Sequence, residues 1–118
     1  MRWILNTLEI ARTAVSALEE KKGEDILLLD IHELVSFTDY FVICSGTSDR
    51  MLDALADAVH DEVKKKHGIN GIEHGNSSSG WKLVDLGDVV VHLFSPDQRD
   101  YYSLEQLWEK GKILLRLQ

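Results

Sequence analysis

Asp39-Tyr40-Phe41-Val42-Ile43-Cys44-Ser45-Gly46-Thr47-Ser48-Asp49 is the stretch that decides the fold. Its first half is aromatic and β-branched, a short apolar run of the kind that forms a strand covered on both faces. Gly46 closes the run. Thr47 or Ser48 is placed to cap a helix, and Asp49 in the first turn complements the positive end of the helix dipole. The helix itself is predicted from Leu52, Leu55, Val59 and Val63, an apolar stripe at helical spacing. Lys64, Lys65, Lys66 and His67 fill its last turn, and Gly68 ends it. A strand running directly into an amphipathic helix points to an α/β fold.

Working outward, Ile4, Leu8, Ala11, Val15 and Leu18 lie on one stripe of a first helix over about 4–22, stopped by Gly23. The run from Asp25 to Ile31 is a second strand of the doubly covered kind. On the other side, a short strand around Ile72 to His74 is predicted to return beside the first two, in a right-handed crossover. Gly75 to Gly80 is rich in Gly and Ser and reads as a mobile loop. Trp81 to Leu86 and Val89 to Ser95 read as strands joined by a tight Gly87-Asp88 turn. Pro96 stops the second of them, and a last helix is predicted from about Leu104 to near the end. The expected architecture is one α/β domain over 1–118, a mixed sheet of about five strands flanked by helices.

With 118 residues, 44% of them hydrophobic, the chain has the usual size of one domain and enough apolar surface for a core. The formal net charge of −7 disfavours a surface that grips phosphate backbones, so no direct nucleic-acid specificity is expected. A basic protein partner suits such a field better. The lone Cys44 cannot form an internal disulfide and sits in an apolar run, which fits a buried thiol in a reducing compartment. No secretory segment and no apolar stretch of bilayer length is present, so the expectation is a cytoplasmic protein, or a matrix-like one if this is a processed organelle form, without membrane association.

A search for chemistry returns little. His32, His60, His67, His74 and His92 form no His-x-x-x-His pair and no zinc-type cluster, and neither a phosphate-cradling loop nor a nucleophile elbow occurs. No cofactor or metal is implied. The enzymatic alternative is the turn from Ser45 to Asp49, since a helix N-terminus behind a Gly/Ser/Thr turn can hold a phosphate. Nucleotidyl transfer would also need paired metal-binding carboxylates beside it. Asp49 and Asp53 stand four apart on a helix instead, and a capped strand-to-helix turn accounts for the same residues.

The Gly87-Asp88 turn sets a register in which Leu86 faces Val89, Asp85 faces Val90, Leu83 faces His92 and Trp81 faces Phe94. Alternation then puts Trp81, Leu83, His92 and Phe94 on one sheet face, with Val84, Leu86, Val89 and Val91 on the other. Left open, the Trp81 face is a protein-binding patch; covered, it is core.

The stretch from Asp39 to Ser48, then Ala56-Asp57, Trp81, Asp85, Gly87-Asp88-Val89-Val90-Val91-His92 and Tyr101-Tyr102-x-Leu104-Glu105-x-Leu107-Trp108, resembles the ribosomal silencing factor (iojap-like) family over almost the whole chain. The resemblance implies a nucleotidyltransferase-like architecture without the catalytic carboxylates, and therefore no enzyme. It implies binding to the large ribosomal subunit through its universal L-fourteen protein, occlusion of the small subunit, repression of translation, and homodimers when free. Carried onto matching positions, the partner-binding residues are Trp81, Leu86, Asp88, His92, Tyr101 and Tyr102. Asp85 lies near the same edge. Trp81 and His92 come out of the hairpin register as well, whereas Leu86 falls on the opposite face unless it reaches round the turn. The chain departs from the family at His74-Gly75, where Glu-Gly is common, and so lacks a carboxylate there.

Overall fold

Three long apolar runs leave the chain little choice but a central sheet, because each buries side chains on both of its faces. The computed structural model describes residues 2–102 and 111–117, with side chains over 7–99 and 111–117. The elements are α1 (Arg2–Glu20), β1 (Glu24–Asp30), β2 (Tyr40–Ser45), α2 (Asp49–His67), β3 (Ile72–Asn76), β4 (Trp81–Asp85), β5 (Val89–Phe94), α3 (Pro96–Tyr102) and β6 (Lys112–Leu117). Six strands form one mixed sheet in the order β3-β4-β5-β2-β1-β6. Among the described residues only β2 and β5 pair in parallel; the other neighbours are antiparallel.

The sheet separates two apolar layers. On one side Ala11, Ala14, Val15, Ala17 and Leu18 of α1 and Leu52, Leu55, Ala56, Val59 and Val63 of α2 pack on Ile26, Leu28, Val42, Cys44, Val84, Val91 and Leu93. On the other, Leu27, Leu29, Phe41, Ile43, Val90 and Phe94 form a thinner layer with Ile31. The two helices are also tied by a 2.9 Å hydrogen bond between Thr13 Oγ1 and His67 Nε2.

Capping follows the local chemistry. Ser48 Oγ accepts from Met51 N at 3.1 Å, and Gly68, with φ 69°, closes α2 by donating its N–H to Lys64 O. The end of α1 differs from expectation. The left-handed residue there is Lys22, with φ 64°, and Gly23 is needed for close approach instead. A Cβ on Gly23 would collide with Cys44 Sγ and lie 3.1 Å from Leu18 O.

Three expectations are corrected. The strand at Ile72 does not return beside β1 and β2. Its side chains are exposed along its whole length, so β3 occupies an edge, and the apolar β5 takes the buried place next to β2. The segment from Gly75 to Gly80 is not a mobile loop. It completes β3 and makes a 3-10 turn, in which Asn76 Oδ1 accepts from Ser78 N at 2.9 Å and Gly80 N donates to Ser77 O at 2.9 Å. The last helix does not run to near the end of the chain. A helix already forms at Pro96, and Lys112–Leu117 is a sixth strand on β1; the stretch around Leu104 lies outside the described residues.

Candidate functional site

The β4–β5 hairpin builds the surface, and its register is the one the turn dictates. Trp81 faces Phe94, Leu83 faces His92 and Asp85 faces Val90, while Leu86 N donates to Val89 O at 2.9 Å. Trp81 and Leu83 therefore lie on the face away from α1 and α2, half-buried against the thinner layer. The indole of Trp81 lies over Gly75 of β3, which has φ 87°. A Cβ there would be 2.6 Å from Trp81 Cε3 and 2.7 Å from Trp81 O, so only glycine leaves the ring its place. In the His74-Gly75 pair the glycine is thus the structural requirement, while His74 is simply exposed.

His92 stands in the middle of this face. Its ring meets Phe41 edge-on, with centroids 4.5 Å apart, and stacks on Phe94 at 6.0 Å. Both ring nitrogens are buried and have no hydrogen-bond partner among the described residues. Burial pushes the imidazole down to about 4, so it is neutral near pH 7.

Alternation sends Lys82 to the helix side, where it clamps the hairpin. Its Nζ reaches Glu73 Oε1 at 3.0 Å and Asp53 Oδ1 at 3.1 Å, and Ser77 Oγ donates to Asp53 Oδ2 at 3.1 Å. Glu73 and then Asp53 raise the Lys82 ammonium above its ordinary range against the pull of desolvation; Lys82 and then Ser77 hold the Asp53 carboxyl below its own. This network joins α2, β3 and β4. Nothing in the sequence announced it, because its members lie far apart along the chain.

The remaining expected residues separate. Asp88 is exposed at the hairpin tip, and its carbonyl accepts from Asp39 N at 2.8 Å and Tyr40 N at 3.1 Å. Asp85 turns inward to the same tip, accepting from Gly87 N at 2.8 Å. Leu86 is 6% exposed and belongs to the helix-side core, so it does not reach round the turn. Tyr101 and Tyr102 lie in α3, but their side chains lie outside those described.

The turn from Ser45 to Asp49 is built as a structural joint. The Ser45 hydroxyl accepts from Arg99 Nη1 at 2.9 Å, Ser48 caps α2, and Asp53 is engaged by Lys82. Cys44 is fully buried, and burial pushes its thiol up to about 12, which leaves it inert.

These elements have a known counterpart. The family described as "ribosomal silencing factor during starvation" matches residues 5–116. The chain belongs to that family. It is 43% identical over 108 residues to the ribosomal silencing factor of Bacillus subtilis strain 168, covering 88% of each chain. A crystal structure of a Chromobacterium violaceum protein superposes with a TM-score of 0.82 at 39% identity, covering 92% of both chains. The mouse protein named mitochondrial assembly of ribosomal large subunit protein 1 is 39% identical over 101 residues, which make up 42% of its length. Ribosomal silencing factors are regulators of translation and not enzymes, in agreement with the structural role of the Ser45 to Asp49 turn.

Proposed function

We propose that this silencing factor binds the large ribosomal subunit through its universal L-fourteen protein and, seated there, sterically blocks joining of the small subunit. Repression by occlusion breaks no bond and uses no cofactor. The observation that carries the reading is the hairpin face: a half-buried Trp81 beside Leu83 and an uncharged His92, in a chain that belongs to this family. An aromatic anchor on an apolar face is what a protein interface places at its centre. The net charge of −7, with Asp88 exposed at the hairpin tip, complements a basic ribosomal protein. The contact surface so proposed comprises Trp81, Asp88 and His92, extended by α3 with Tyr101 and Tyr102.

Free copies pair as homodimers in this reading. Support comes from β6, the last strand in the sheet order, which exposes Ile113, Leu114 and Leu115, because an apolar sheet edge invites another strand. The site of action is the cytoplasm, where the subunits meet; among the described residues no helix is long and apolar enough to cross a membrane.

The test is co-sedimentation with separated ribosomal subunits at matched salt. Binding to the large subunit alone, weakened by Trp81→Ala in a variant that stays folded, is the expected result. Failure to bind either subunit at low salt sinks the reading.

A further inference from the structure

Helix α3, described over Pro96–Tyr102, follows β5 directly. It is seated from two sides. At its start, Ser95 N donates to Gly80 O at 2.9 Å, beside Trp81, and Ser95 Oγ accepts from Gln98 N at 3.3 Å. One turn later Arg99, 8% exposed, reaches under the helix into the sheet. Its Nη1 donates to Asp25 O at 2.6 Å and to Ser45 Oγ at 2.9 Å.

One receiving group, the Asp25 carbonyl, lies in an irregularity of β1. Asp25 has φ 48°, a left-handed conformation, and the β1–β2 register shifts between Glu24 and Leu27. Such a bulge releases a carbonyl from the ladder and re-aims it. Burying a guanidinium is costly, and an apolar side chain would hold a helix down as well or better. What a fork of donors adds is direction: it fixes one placement of α3 among several that apolar packing would accept.

We propose that Arg99 is a positioning residue of the partner-binding surface. By tying α3 to the bulge at Asp25 and to the end of β2 at Ser45, it sets where the backbone of α3 that carries Tyr101 and Tyr102 stands relative to Trp81. This inference rests on the proposed function, since the surface being positioned is the one that meets the large subunit.

The experiment measures large-subunit affinity for the wild-type chain, Arg99→Met, Arg99→Lys and Val63→Ala. Val63 is buried in the helix-side core and serves as a control for simple loss of stability. Arg99→Met is expected to lose about ten-fold in affinity, within the usual range of coupling between linked sites. Arg99→Lys restores part of that loss, and Val63→Ala binds like wild type even where it melts as low as Arg99→Met. Wild-type affinity in a folded Arg99→Met, or an equal loss in Val63→Ala, overturns the role of Arg99 and leaves the functional reading standing. A wild-type chain that does not bind sinks the functional reading and the positioning role with it. Should Arg99→Met fail to fold, Ser45→Ala removes one acceptor alone: a smaller loss of affinity supports the proposal, and unchanged affinity overturns it.

Discussion

His92 makes the stability of this protein depend on pH in a way that can be isolated. Its ring is held between Phe41 and Phe94 with both nitrogens buried, and burial lowers its pKa from 6.5 to about 4. A depressed folded-state value means that above 6.5 both the folded and the unfolded chain are neutral at this residue, and no penalty exists. As the pH falls below 6.5 the unfolded chain takes up a proton that the folded chain refuses, and stability drops until the folded ring titrates near 4. The gap between 6.5 and about 4, at about 1.4 kcal/mol per pH unit, amounts to roughly 3 kcal/mol. Carboxylates titrate in part of the same window, so the quantity to measure is the difference between wild type and His92→Phe, which keeps a ring and cannot titrate. Urea unfolding of both proteins at steps from about pH 7.5 to about pH 4.5 gives that difference directly. It should shift steadily in favour of His92→Phe as the pH falls. A difference that stays flat across the window would show that the ring is not held neutral by burial, and the account of this face would fail.

The other predictions concern the core and the sheet edge. Gly23→Ala drives a methyl group into Cys44 Sγ and should cost about 2 kcal/mol by denaturant unfolding; most of that cost should vanish when Cys44→Ala is combined with it. Leu86→Ala should lose roughly 3 kcal/mol of stability, as a truncated core leucine does, and a marginal stability change with a large affinity loss would instead make Leu86 a contact residue. Ile113→Lys, at a side chain 54% exposed on the edge strand, should leave the melting temperature near wild type and shift the free protein toward monomer in sedimentation equilibrium; an unchanged dimer places the self-association elsewhere.

Read alone, the chain determined whatever depends on neighbours a few positions apart. The stripe from Leu52 to Val63, the cap at Ser48, the stop at Gly68 and the hairpin register set by Gly87-Asp88 all appear as expected, because helical spacing, side-chain caps and tight turns are local chemistry. Assignment of Trp81 and His92 to one face followed from the same register. The tertiary structure decided strand order, which depends on competition for buried positions: exposed β3 went to the edge and apolar β5 lay beside β2. It made Lys112–Leu117 a strand, since a mostly apolar hexamer takes its form from the β1 edge it pairs with. It also placed Leu86 in the core, and it brought Lys82 to Asp53 and Glu73, and Arg99 to Asp25 and Ser45. Those last contacts join residues as far as 74 positions apart, and a pairing that long-range leaves no periodic signal in a sequence, because only the folded backbone brings the partners within reach.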